Sequence, residues 1–248
     1  MQNFELPPVS DIAPISEAAA VEGLVEDTSR RSFIGRGAVV AAGVAALAVP
    51  AVAQTGGRRR RPRPTPPPVP VRFPELYPGA NTRAFKEIQN DENVHVSFLV
   101  TALGSRARPK PTFQGLTSPD VVSFVRTSAA LENTGVAAYN GAAPIIFDRG
   151  ILANAASIAL VEAYHSGYLN TLRGAFIVPG AAAFAPVYTI ELVMTAIAGN
   201  LVNLNGGPPL TFSTTPSAEN DIAILNFALA LEFLEQEFYN INVPRFFP

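Results

Sequence analysis

The chain has 248 residues, no cysteine, two histidines and a net charge of −2 at pH 7. Without cysteine it holds no disulfide scaffold, zinc–thiolate site or catalytic thiol. A charge this near zero argues against nucleic acid as the main partner.

In chain order, residues 1–53 read as a leader. Within them EDTSRRSFIGRGAVVAAGVAALAVPAVA places Arg30 and Arg31 before an apolar run of Ala, Val, Gly and Leu, and the run ends in the small-residue cleavage pattern Ala51-Val52-Ala53. It is shorter than the roughly 20 apolar residues of a permanent span, so no stable membrane span is expected after cleavage. The order Ser-Arg-Arg-Ser-Phe-Ile resembles a twin-arginine signal, which implies bacterial export to the periplasm or cell envelope. Residues 54–79 include GGRRRRPRPTPPPVPVRFP, which reads as an extended, disordered linker. Its basic run, Arg58 to Arg61, is read as solvated, with contact to an anionic envelope surface as the functional alternative.

Five stretches then carry helical periodicity, separated by Pro- and Gly-rich loops. The first runs from about Asn81 to Leu103 and stops at Gly104. The second opens at Ser118-Pro119-Asp120, read as a Ser cap with Pro at the first helical position, and breaks before Pro144. The third runs from near Asp148 to near Gly174, and a weaker fourth from about Tyr188 to Val202. The fifth opens after Pro216-Ser217 and runs to about Asn240, leaving 241–248 as a tail. No series of alternating strands appears, so residues 80–240 are expected to fold as an all-α, four-helix bundle with one extra short helix.

The informative residues are charges on apolar helices. The first helix carries Glu92 and His95, and the third carries Glu162 and His165. Each Glu-x-x-His pair leaves one helical face about a turn apart. Glu132 lies inside Ala-Ala-Leu-Glu on the second helix, and Glu232 inside Leu-Ala-Leu-Glu-Phe-Leu on the fifth. A buried charge is costly unless it is paired, protonated or metal-bound. Four glutamates and two histidines, one Glu from each of two helices and Glu-x-x-His from the other two, form the ligand set of di-iron and di-manganese bundles. The expected cofactor is two Fe or Mn ions, since carboxylates neutralise and bridge divalent cations while imidazole suits iron and manganese. Glu235 competes with Glu232 for the fifth helix's place. Glu191 and Glu237 read as surface acids. Glu132 and Glu232 are each followed seven residues later by a tyrosine, Tyr139 and Tyr239. This suits either hydrogen bonding to the ligand carboxylates or packing within the bundle.

These residues resemble the ferritin-like superfamily, in particular exported or stress-associated ferritin-like proteins of the desiccation-related type. Leu225-Asn226, Leu231-Glu232 and Tyr239 look like the first helix of bacterioferritin-type proteins. Asp91-Glu92-Asn93-Val94-His95 looks like the second, Leu131-Glu132 like the third, and Glu162-Ala163-Tyr164-His165 like the fourth. The resemblance implies Glu232, Glu92, His95, Glu132, Glu162 and His165 as ligands, and leaves open whether Glu132 and Glu232 are terminal or bridging. It departs from the family in order, because the helix resembling the first comes last. That implies either a circularly permuted bundle or a helix swapped into a neighbouring subunit, which would force a homodimer. The implied activity is a di-metal oxidoreductase acting on O2, peroxide or iron, as a ferroxidase or a peroxide-removing enzyme. The alternative is a non-enzymatic envelope or stress-protection protein that uses the bundle as a structural or binding module.

Overall fold

A computed structural model describes residues 73–248; the leader and residues 54–72 of the linker lie outside the described residues. Five α-helices follow: α1 (Ala80–Leu103), α2 (Val121–Ala142), α3 (Arg149–Leu172), the short α4 (Ile190–Ile197) and α5 (Ala218–Phe246). Helices α1, α2, α3 and α5 form the bundle. The closest pairings are α2 with α3 and α1 with α5, and α2 also packs on α5. Helix α5 packs against α1 of its own chain.

The helix starts follow local chemistry. Asp120, Asp148, Thr189 and Ser217 cap α2 to α5, each side chain accepting from the backbone N–H three residues on. For α2 this corrects the expected cap: Asp120, not Ser118, starts the helix. Ser118 is instead buried, its N–H donating to Asn242 Oδ1 over 2.9 Å. Glycines stop two helices in backbone that other residues avoid, Gly104 (φ 56°) after α1 and Gly174 (φ 72°) after α3.

Two further expectations are corrected. Residues 188–202 hold only the eight-residue α4, and Leu201–Asn203 pairs antiparallel with Thr112–Phe113 as a two-stranded ribbon. The segment 241–248 is not a free tail: α5 continues to Phe246, and Val243 and Phe247 are buried.

The core has two parts. One joins Phe85 and Ile88 from the start of α1, Phe124 and Val125 from the start of α2, Leu169 and Leu172 from the end of α3, and Phe238 and Val243 from the end of α5. Aromatic rings tie it together, with centroids 4.2 Å apart for Phe85–Phe247 and 5.4 Å for Phe124–Phe238. The other part uses the opposite halves: Leu99 and Leu103, Ala142, Ile158, and Leu225 and Leu229. So α1 and α2 run one way and α3 and α5 the other. The acids singled out in the sequence fall between the two apolar parts in every helix.

Helix α5 is buried on nearly all sides, and its polar residues anchor loops. Asn226 accepts from Arg108 N–H (2.7 Å) and donates to Arg106 O (3.1 Å). Asn242 accepts from Ser118 N–H and donates to Leu116 O (2.7 Å). Asp221 accepts from the N–H groups of Phe147 and Asp148, both at 2.8 Å. One helix thus pins the α1–α2 crossover at two points and the α2–α3 turn at a third. Among the described residues, no helix is long and apolar enough to cross a membrane.

Candidate metal centre

Between the two apolar parts, the bundle brings together Glu92, His95, Glu132, Glu162, His165 and Glu232. All six are buried, and Glu92, Glu132 and Glu162 are 0% exposed. Their positions follow from helical spacing: each Glu-x-x-His puts both side chains on the inward face, and Glu132 and Glu232 face them from α2 and α5.

The donor atoms form two overlapping groups. Glu92, Glu132, Glu162 and His165 each offer an atom within 4.8 Å of the others, and so do Glu92, His95, Glu162 and Glu232. Glu92 and Glu162 belong to both groups, while Glu132 and Glu232 belong to one each. Each histidine turns Nδ1 inward. His95 Nδ1 lies 3.2 Å from Glu232 Oε2 and 3.3 Å from both Glu92 Oε2 and Glu162 Oε1. His165 Nδ1 lies 3.1 Å from Glu132 Oε2 and 3.3 Å from Glu92 Oε1.

One imidazole nitrogen carries at most one proton, yet three carboxylate oxygens converge on His95 Nδ1. Protein groups alone do not satisfy this centre. Glu92 Oε1, both oxygens of Glu162 and Glu232 Oε2 are buried with no hydrogen-bond partner. Two protonated imidazoles leave two of the four carboxylate charges uncompensated; two divalent cations with neutral imidazoles balance all four. All-oxygen acids with two imidazole nitrogens also match what iron and manganese accept. On both counts the residues fit a pair of divalent metals.

The electrostatics of the metal-free centre show the same strain. Burial, then the charge of Glu162, pushes the Glu92 carboxyl up to about 7. Burial, then the charge of Glu132, holds Glu162 well above the usual range, and burial raises Glu132. Burial alone would lower both histidines. For His165 the charge and hydrogen bond of Glu132 and the bond to Glu92 outweigh it, raising the imidazole to about 11. For His95, bonds to Glu162, Glu232 and Glu92 outweigh it in the same direction.

The tyrosines form crossed latches. Tyr139 of α2 donates to Glu232 Oε1 of α5, and Tyr239 of α5 donates to Glu132 Oε1 of α2, both at 2.5 Å. Each latch occupies one oxygen and leaves Oε2 facing the histidine. Burial, then the charges of Glu232 and Glu132 respectively, keeps both phenols protonated.

Three residues complete the setting. Asp91 stands 3.1 Å from His165 Nε2, a carboxylate on the outer nitrogen that fixes a ring's orientation. In the sequence Asp91 is marked only by its position directly before Glu92. Glu235 is buried but belongs to neither group. Burial and the charges of Glu162, Glu92, Glu132 and Glu232 hold its carboxyl well above the usual range. Glu191 is exposed, and Glu237 is half-buried and pairs with Lys110 at 2.7 Å.

A family model described as the ferritin-like domain matches residues 39–175, more than half of the chain. The match takes in α1, α2 and α3 and stops before α5. No curated protein and no solved structure matches the chain.

Proposed function

We propose that this chain, which belongs to the ferritin-like family, holds two divalent iron or manganese ions and uses them in oxidation chemistry with O2, peroxide or ferrous iron. The observation that carries the reading is the pair of four-donor groups sharing Glu92 and Glu162. In this reading Glu92 and Glu162 would be shared by the two positions. Glu132 with His165 completes one position and Glu232 with His95 the other. Such a pair of ions, if bound, would supply one-electron redox chemistry at each of the two positions.

The chain's own residues do the rest. Tyr139 and Tyr239 hold one oxygen of Glu232 and Glu132, so each terminal acid offers the other oxygen only. Asp91 accepts from His165 Nε2–H, keeping Nδ1 as the inward lone pair. The two apolar parts above and below exclude water and strengthen every charge interaction between them. Loading would require both imidazoles and the raised carboxyls of Glu92, Glu132 and Glu162 to give up their protons, so the residues would release protons as the cations enter.

The deciding experiment loads purified protein with Fe(II) and follows oxygen or peroxide consumption alongside metal content. Roughly two metals per chain with oxidant consumed supports the oxidoreductase. Metal bound, a raised melting temperature and no oxidant consumed support the non-enzymatic alternative. No metal bound removes the oxidoreductase and leaves a structural or binding module without metal. The leader adds a destination, the periplasm or cell envelope, inferred from Arg30, Arg31 and the apolar run after them. Fractionation of the native host, with Arg30→Lys plus Arg31→Lys as the control, tests it; unchanged export of the double variant counts against a twin-arginine route.

A further inference from the structure

Helices α2 and α5 match at Glu132 and Glu232 and again at Tyr139 and Tyr239, but three residues after each glutamate the match breaks. On α5 that position is Glu235; on α2 it is Gly135. A glycine inside a helix costs about 1 kcal/mol against alanine, so its place calls for a reason. A Cβ at Gly135 would stand 2.9 Å from Glu162 Oε2 and 3.7 Å from Glu235 Oε1. The bare backbone there is the point at which the centre and Glu235 come within reach of one another.

The outer side of that point is not closed. Gly135 and Glu235 line a small cavity of about 10 Å³ with Leu131, Thr134, Ile197 and Leu234, close to the least space that admits a water. Glu235 is 3% exposed, and its Oε1 lies 3.7 Å from the place a Cβ at Gly135 would take. Beyond it both oxygens of Glu162 are buried and unpartnered. A buried carboxyl beside a small, mostly apolar cavity, one step from an acid common to both donor groups, suits a hard cation passed between oxygens.

We propose that the gap at Gly135 is the path by which a divalent cation reaches the centre, and that Glu235 binds the cation in transit and passes it to Glu162. Glu235 is thus no permanent ligand. The proposal rests on the two-metal reading above. An apolar oxidant gains nothing from a carboxylate, so the path is assigned to the cation.

The test is stopped-flow mixing of the chelator-stripped full chain with cobalt(II), followed by absorbance, with final cobalt content measured separately. Glu235→Gln and Glu235→Ala are both expected to slow loading tenfold or more and leave the final content as in the unaltered chain. Gly135→Ala, with its Cβ in the gap, is expected to slow it likewise. Circular dichroism identifies any variant that fails to fold, and Glu235→Gln, which keeps side-chain size, decides alone if Gly135→Ala does. Glu237→Gln on the surface is the control. Unchanged loading in Glu235→Gln overturns the proposal. Faster loading in Glu235→Ala would make Glu235 a plug, and a lower final content in Glu235→Gln would make it a ligand; either also overturns it. If the unaltered chain binds no cobalt, the two-metal reading itself falls.

Discussion

The α2–α3 pair and the α1–α5 pair follow one plan but differ in how the chain makes them. Helices α2 and α3 are joined by the short turn 143–148, so their pairing is local and carries little loop entropy. Helices α1 and α5 lie at opposite ends of the bundle sequence, and their pairing closes only when more than a hundred residues have been brought round. Yet each pair supplies one glutamate and one histidine that fall in a single donor group, and one glutamate that falls in both: Glu162 from α3, Glu92 from α1. A centre built this way needs both pairs at once. The halves also differ in support. His165, in the local pair, has Asp91 behind it, reached across from α1; no described carboxylate stands behind His95 on its outer nitrogen.

The largest effect that separates shared from terminal acids is stoichiometric. Glu92→Ala or Glu162→Ala is expected to abolish both positions, taking metal content from roughly two per chain to near none. Glu132→Ala or Glu232→Ala is expected to leave about one. Elemental analysis of the four variants decides, and one remaining metal after loss of Glu92 or Glu162 would show that these acids are not shared.

Next is the pH dependence of the metal-free fold. Glu92 is raised from 4.5 to about 7, so it binds a proton more tightly folded than unfolded. The stability it contributes is fully present below pH 4.5 and lost as pH rises through about 7. His165, raised from 6.5 to about 11, contributes stability present below pH 6.5 and lost through about 11. Melting temperature in chelator should therefore fall as pH rises from 5 to 8. With manganese(II) present it should not, because the ions take the deprotonated forms. Parallel melting curves with and without metal would defeat this.

Smaller is Asp91→Asn. It should weaken binding in the half holding His165 and Glu132 by about 10–100-fold and leave the His95 half as it was. Calorimetric titration would then resolve two affinities spaced further apart than in the unaltered chain; equal weakening of both would end the assignment to one half. Smallest are Tyr139→Phe and Tyr239→Phe, each costing about 1 kcal/mol of binding. The latches cross, so loss of the α2 tyrosine should weaken the half on α1 and α5, and loss of the α5 tyrosine the half on α2 and α3.

Much of this was legible before the structure. The six candidate ligands come from charge set in apolar helical runs, and that signal survives because burial makes such charges costly without a partner. The two tyrosines come from matched spacing. The division of Glu92 and Glu162 from Glu132 and Glu232 was not legible, because it depends on how far each helix is rotated and slid against its neighbours. Asp91 escaped for the same reason: its partner lies on another helix. The end of α5 escaped because Pro244 reads as a helix breaker, although in the last turn it costs few hydrogen bonds. The Thr112–Phe113 ribbon with Leu201–Asn203 is too short to leave an alternating pattern.

Asn226, Asn242 and Asp221 on α5 give the order of synthesis a consequence. Helices α1, α2 and α3 leave the ribosome first, carrying three of the four acids and both histidines. They emerge without the side chains that pin the crossover and the turn, and without Glu232. A nascent or truncated chain stopping before α5 therefore presents an open cleft of acids with only one donor group complete. In the two-metal reading, a second ion would have a place to stay only once α5 has closed and the bundle is whole.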